Sequence, residues 1–185
     1  QGTMPAVGLD GKLLLAAKDS LALSPNGHGG ALLAMRTSGA LADMKKRGVE
    51  HISYWQVDNA TVYVVDPLYI GMHALTGAEM SCRALIKTGP FEKLGNFGLC
   101  NGRLTIIEYS DMPNALAEAQ DASGQLLYRA GSPAVHMISR TFVETLTEGG
   151  LHLPAHRADK KIPCIGAGGV AVSPDKPNGV KLEMF

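Results

Sequence analysis

The sequence predicts an α/β domain, a mixed and mostly parallel sheet with flanking helices. Two observations carry this. Short β-branched or aromatic runs alternate with segments of helical apolar spacing along most of the 185 residues. One such run leads instead into Asn101-Gly102, a two-residue hairpin signal that makes the sheet mixed. The length suits one well-buried domain, and no internal repeat or low-complexity segment interrupts it.

Taken in order, Gly11-Lys12-Leu13-Leu14-Leu15-Ala16 reads as a short strand after a turn at Leu9-Asp10-Gly11. Residues 31–46 set Leu32, Met35, Leu41 and Met44 against Arg36, Asp43, Lys45 and Lys46, which predicts one amphipathic helix stopped by Gly48. His51-Ile52-Ser53-Tyr54-Trp55-Gln56-Val57 is a strand by its β-branched and aromatic content. Asp66-Pro67 opens a helix through Gly71 and Leu75, with Asp as N-cap and Pro in the first turn. Residues 80–87 form another strand. The hairpin then joins Phe97-Gly98-Leu99-Cys100 to Leu104-Thr105-Ile106-Ile107-Glu108-Tyr109. A helix near 113–121, a strand near 134–139 and a helix near 140–148 complete the alternation. The closing run Val180-Lys181-Leu182-Glu183-Met184-Phe185 alternates like a strand and reads as the cut edge of something longer.

Bulk composition narrows the function. Seventeen basic side chains balance 17 acidic ones, so no charge excess points to nucleic acid or an anionic membrane. Basic clusters at Lys45-Lys46-Arg47 and from Arg157 to Lys161 read as solvated surface. Cys82, Cys100 and Cys164 are odd in number, far apart and without C-x-x-C spacing. They predict neither a disulfide framework nor structural zinc, and fit a reducing, cytoplasmic setting. No apolar run approaches the roughly 20 residues that span a bilayer, and the first residues do not read as a signal peptide.

Chemistry concentrates in a few places. Pro25-Asn26-Gly27-His28-Gly29-Gly30 places three glycines in four residues directly before a helix. Such a corner lets the backbone approach a ligand and suits an anion, above all phosphate, although Gly-rich strand-to-helix turns are common. In open α/β sheets, ligands gather beyond the carboxyl ends of strands. Asp58 and Asn59 follow one strand, Glu108 and Tyr109 close another, and His136 lies within a third. Taken alone, Asp58-Asn59 reads equally as a turn or cap, and His136 between Val135 and Met137 as a core histidine.

Read together, these segments resemble the eukaryotic-type UDP-sugar pyrophosphorylases, most closely the UDP-N-acetylhexosamine branch. Gln1-Gly2-Thr3-Met4-Pro5-Ala6 is similar to the family's Q-G-x-x-P-A segment, and Pro25 to Gly30 to its P-D/N-G-N/H-G-G loop. Val57-Asp58-Asn59 resembles V-D-N, Glu108-Tyr109-Ser110 resembles E-Y-S, and Ala130-Gly131 with His136 resembles A-G…H. Lys160-Lys161-Ile162-Pro163 matches K-K-I-P, and Lys176-Pro177-Asn178-Gly179-Val180-Lys181 matches K-P-N-G-x-K. Separate motifs in the family's order, over nearly the whole chain, are far more specific than any one of them.

The resemblance implies a Rossmann-like fold of nucleotide-diphospho-sugar transferase type, here incomplete, and a reversible uridylyl transfer. UTP and a sugar 1-phosphate would be the partners and Mg²⁺ the cofactor, with the chemistry resting on positioning and electrostatics. It implies that Gln1 and the Gly27 backbone read the uracil edge, and that Asp58 faces the nucleotide and holds the metal. Asp58 and Lys181 become the catalytic pair, Lys181 neutralising phosphate charge, a residue that otherwise reads as a solvated strand lysine. His28, Gly95, Glu108, Tyr109, Ser132, His136 and Phe185 become the sugar-facing set.

Two departures matter. His28 stands where the acetylhexosamine enzymes carry Asn, as in the glucose and broad-range branches, and Ser132 replaces the Asn after Ala-Gly. Both bear on preference for an N-acetyl sugar. The family's leading glycine-rich segment, expected before Gln1, and a lysine expected after Phe185 are not in this sequence. The reading is therefore the central part of a catalytic domain, residues 1–185, inactive alone. The competing reading is a non-catalytic nucleotide-sugar binding or scaffold module.

Overall fold

The structure, a computed structural model, describes residues 2–184, the side chain of residue 167 excepted. The chain forms two compact units: Gln1–Gly48 with Val143–Phe185, and Val49–Phe142. The first begins with β1 (Thr3–Pro5), β2 (Val7–Gly8), β3 (Leu15–Ala17), β4 (Ser20–Leu21) and β5 (Leu23–Pro25), then α1 (Gly30–Thr37) and α2 (Ala40–Lys46). The second contains β6 (His51–Tyr54), α3 (Pro67–Thr76), β7 (Met80–Cys82), β8 (Leu85–Ile86), β9 (Gly95–Cys100), β10 (Arg103–Ile107), α4 (Asn114–Ala117), β11 (Ala130–Ser132) and β12 (His136–Ser139). α5 (Arg140–Leu146) returns to the first unit, which ends with β13 (Ala155–Lys160), β14 (Cys164–Ile165), β15 (Ala171–Val172) and β16 (Gly179–Met184).

The α/β class stands, but the expected mostly parallel sheet does not appear among the described residues. Every strand pair is antiparallel, in several small sheets. The physical reason is visible in the sheet ordered β6-β12-β7. β6 and β7 flank a helical crossover through α3 and run in the same direction, as a strand–helix–strand unit should. They are not neighbours, because β12 lies antiparallel between them, with His136 opposite both Tyr54 and Cys82.

Local signals explain where elements begin and stop. Asp66 caps α3 by accepting from the Leu68 and Tyr69 amides, and its carboxylate also pairs with Arg83. Those amide bonds, with Arg83, hold its carboxyl below the usual range. Asn101 and Gly102 both take positive φ, 51° and 77°, the pair that a tight hairpin turn demands. The single helix expected over 31–46 is two helices, because Gly39 at φ 80° closes α1 and opens α2. The strand expected to Val57 ends at Tyr54, residues 80–87 divide into β7 and β8, and the helix near 113–121 shrinks to the turn Asn114–Ala117. The strand expected over 11–16 is regular only at Leu15–Ala17.

In the first unit, Ala6, Ala22 and Ile162 form the buried cluster, with Leu14 against it. Two motif segments are sewn together beside it. The Asn178 side chain accepts from the Ile162 amide (2.8 Å) and donates to the Ile162 carbonyl (3.0 Å). Gly179 follows, and a Cβ there would lie 2.7 Å from the Val7 carbonyl oxygen and 2.8 Å from Leu14 Cδ1. Arg36 of α1 donates to Thr147 Oγ1 (2.7 Å) and to the Glu144 carbonyl, fixing the helical pair to the end of α5.

In the second unit, α3 covers the β6-β12-β7 sheet through a buried imidazole. His73 is 2% exposed and bonded by both nitrogens, Nδ1 to Ser81 Oγ (2.6 Å) and Nε2 to Ser139 Oγ (3.2 Å). Ser139 donates its own hydrogen to the Ala78 carbonyl, so it accepts from Nε2–H and leaves Nδ1 to accept from Ser81. His73 is thus neutral, and burial, then the nearby His51, pulls its pKa below the ordinary value. No helix among the described residues is long and apolar enough to cross a membrane.

Two outcomes are expected. Gly179→Ala should destabilise the chain by about 1–3 kcal/mol through overpacking against Val7 and Leu14, read by urea denaturation. Because His73 titrates lower folded than unfolded, its contribution is fully present above about pH 6.5 and is lost as pH falls below that. His73→Gln should therefore flatten the decline in thermal midpoint between about pH 7 and 5; an unchanged slope would refute the neutral assignment.

Candidate functional site

The glycine-rich loop of the first unit is positioned by strand β16. Gly27 takes φ 86°, and a Cβ on it would sit 2.3 Å from the Met184 carbonyl oxygen. The Met184 amide donates to the Asn26 carbonyl (2.8 Å), the Gly29 amide to the Met184 carbonyl (2.9 Å), and the Asn26 amide to the Gly2 carbonyl (3.1 Å). Three segments far apart in sequence meet there. The helix start is not an open anion site: the Gly29, Ala31 and Leu32 amides donate to Met184, His28 and Gly29 carbonyls. The phosphate reading of this loop loses those donors.

His28 is half-buried beside the same junction. Burial lowers its pKa, and the Glu183 carboxylate partly opposes that. Lys181 lies half-buried in β16, three residues before Met184 and opposite Ala158 of β13. Gln1 and Phe185, predicted for uracil and sugar, lie outside the described residues.

In the second unit the sheet ordered β10-β9-β11-β8 brings three predicted sugar residues together. Gly95 opens β9 and pairs with Ser132 of β11, while Asn96 pairs with Ile107 at the end of β10. Glu108 comes immediately after Ile107. A Cβ on Gly95 would lie 3.5 Å from Ser132 Cβ and 3.7 Å from Glu108 Oε1. The same position lies 2.5 Å from Ile106 Cγ2, so the missing side chain at buried Gly95 lets Ile106 pack there, beside the Glu108 carboxylate and Ser132. The Asp111 and Met112 amides donate to the Glu108 carbonyl, forming the turn that carries Tyr109, 44% exposed. Ser132 Oγ accepts from the Ala134 amide (3.3 Å).

The remaining candidates stand differently. His136 is 6% exposed in β12, with Nδ1 3.2 Å from Cys82 Sγ and its ring stacked on Tyr54 at 5.8 Å. It lies in the other sheet of its unit, in surroundings that suit a satisfied core histidine. Asp58 occupies an exposed turn beyond β6, where Asn59 Oδ1 accepts from the Thr61 amide and hydroxyl. Among the described residues no group of three His, Cys, Asp or Glu could hold a metal. A lone exposed carboxylate nevertheless fits Mg²⁺ that arrives with nucleotide phosphates, since that ion commonly takes one or two protein carboxylates.

Sequence reasoning missed Lys87 and Asn96, 6% and 1% exposed and joined side chain to side chain at 2.5 Å. A lysine closing an apolar run carries no sign of burial, and nothing at Asn96 marks it as its partner.

The chain as a whole has known relatives. Residues 1–185 match the family described as UTP–glucose-1-phosphate uridylyltransferase, and the chain belongs to that family. It is 38% identical over its full length to human UDP-N-acetylhexosamine pyrophosphorylase-like protein 1, of which it spans 37%. It is 36% identical to a probable UDP-N-acetylglucosamine pyrophosphorylase of Schizosaccharomyces pombe, of which it spans 40%. A solved structure of a candidate UDP-N-acetylglucosamine pyrophosphorylase from Entamoeba histolytica superposes with TM-score 0.86 at 32% identity, covering all of this chain and 46% of that one. The chain thus spans less than half the length of each of these proteins.

Gly27→Ala should displace the loop from β16, since it strains positive φ and meets the Met184 peptide. A loss of about 2–4 kcal/mol in chemical denaturation is expected, against about 1 kcal/mol for Gly124→Ser, which strains a similar positive φ (79°) but meets open space.

Proposed function

We propose that the protein carrying this chain transfers a uridylyl group from UTP to a sugar 1-phosphate, giving a UDP-sugar and pyrophosphate. The observation that carries this is the meeting of Gly95, Glu108 and Ser132, three of the expected sugar-facing residues, in a chain of the uridylyltransferase family. In the transfer, a sugar-phosphate oxygen bonds to the α-phosphorus as the bond to the bridging oxygen breaks. The electron pair leaves with pyrophosphate. No covalent protein intermediate is needed, so the side chains act by orientation and charge.

Gln1 and the Gly27 backbone read the uracil edge, and Lys181 neutralises phosphate charge as a point cation. Glu108 accepts hydrogen bonds from sugar hydroxyls, and Tyr109 and Ser132 border the same ring. Asp58 would hold Mg²⁺ delivered with the nucleotide; when bound, that ion offsets phosphate charge. The sugar follows from His28 and Ser132, an imidazole and a hydroxyl where an N-acetyl-specific site carries amides. UDP-glucose is thus a substrate beside UDP-N-acetylglucosamine. A cytoplasmic location belongs to the same proposal.

One observation favours the second reading, nucleotide-sugar binding without turnover. The first amides of α1 are already satisfied by protein carbonyls, leaving the loop little with which to hold a triphosphate.

Titration of the 185-residue chain with UDP, UDP-N-acetylglucosamine, UDP-glucose and ADP-glucose, followed by NMR, tests the proposal. Signals of Gly27 should move with every uridine ligand, and those of Gly95, Glu108 and Ser132 only with the UDP-sugars. An equal response to ADP-glucose would defeat the uridine assignment. Glu108→Ala should weaken the sugar-dependent part of affinity by about 10–100-fold, the worth of one or two hydrogen bonds to a charged group. Pyrophosphate release by the protein carrying this chain separates turnover from binding alone.

A further inference from the structure

We infer that Lys87 and Asn96 are positioning residues for sugar recognition, acting through the backbone that carries Gly95 and Glu108. The inference rests on the sugar-binding role proposed for Glu108. Lys87 follows β8, and its stem crosses Gly131, where a Cβ would lie 3.0 Å from Lys87 Cγ. Its ammonium is buried and donates to Asn96 Oδ1 (2.5 Å) and the Pro90 carbonyl (3.2 Å). None of the ion pairs among the described residues includes Lys87. A buried cation without a counter-carboxylate is costly, and an apolar side chain would fill the space without that cost.

What the ammonium provides is orientation. It can only donate, so it draws the oxygen of the Asn96 amide towards itself and turns the NH₂ the other way. The Asn96 Nδ2 then donates to the Leu94 carbonyl (3.4 Å) and the Ile107 carbonyl (3.3 Å). Leu94 immediately precedes Gly95, and Ile107 immediately precedes Glu108. One side chain therefore holds both backbone segments that set the spacing between Gly95 and the Glu108 carboxylate. Without Lys87 the amide could flip and present its oxygen to two carbonyls, which would repel it.

Asn96→Asp and Lys87→Met test this in the whole chain. Asn96→Asp keeps an ion pair with Lys87 but offers no donor to Leu94 or Ile107, so it separates the clamp from mere core filling. In the ligand-free chain, hydrogen exchange at the Asp111 and Met112 amides, which donate to the Glu108 carbonyl, should quicken about tenfold in both variants while α3 is unchanged. The affinity ratio of UDP-glucose to UDP should fall about tenfold, with UDP affinity itself held within about twofold. Unaltered exchange and an unaltered ratio in folded Asn96→Asp would overturn the inference. Should the unmodified chain not prefer UDP-glucose to UDP, the sugar reading falls, while the exchange result still decides whether the clamp exists.

Discussion

The absence of one methyl group at Gly27 governs the first unit. At φ 86°, and with Met184 backbone atoms where a side chain would begin, Gly27 allows the loop to lie directly on β16. Two backbone hydrogen bonds then join residues 26 and 29 to Met184, and a third joins Asn26 to Gly2. The loop, the first strand and the last strand are fixed by one contact. Glycine at this position thus serves chain packing as well as any ligand approach.

Buried polar groups do similar work elsewhere. Asn178 behaves as a backbone mimic, giving Ile162 both halves of a peptide pair. His73 joins α3 to two strands through serine hydroxyls, and the donor already spent by Ser139 decides its tautomer. Lys87 and Asn96 make the same kind of connection inside the second unit. Each group is costly to bury unless paired, so each specifies one arrangement of the elements around it. In a chain whose strands are mostly two to six residues long, these links supplement ladders too short to set register alone.

The candidate sugar face shows how short strands build a site. β9 pairs with β10 on one side and β11 on the other, so the first residue of β9 faces the end of both neighbours. Gly95, Glu108 and Ser132 are brought together by ladder geometry, without a loop of their own. His136, drawn from a motif as specific as the others, enters the neighbouring sheet and packs on Tyr54 and Cys82.

By itself the sequence determined what depends on a few adjacent residues. Asp66-Pro67 specified a capped helix start and Asn101-Gly102 a tight turn, because caps and turns are satisfied within three or four residues. The ordered motifs likewise identified the family. Tertiary structure alone decided the rest. β12 entering between β6 and β7 turned an expected parallel pairing into two antiparallel ones, a choice made by residues 54 to 88 positions apart. The Gly29 amide of the glycine-rich loop went to the Met184 carbonyl rather than to an open anion site, because a strand from the far end of the chain lies against the loop. Lys87 became a buried donor because Gly131 lacks a side chain to exclude its stem, and no local pattern records what lies across a sheet.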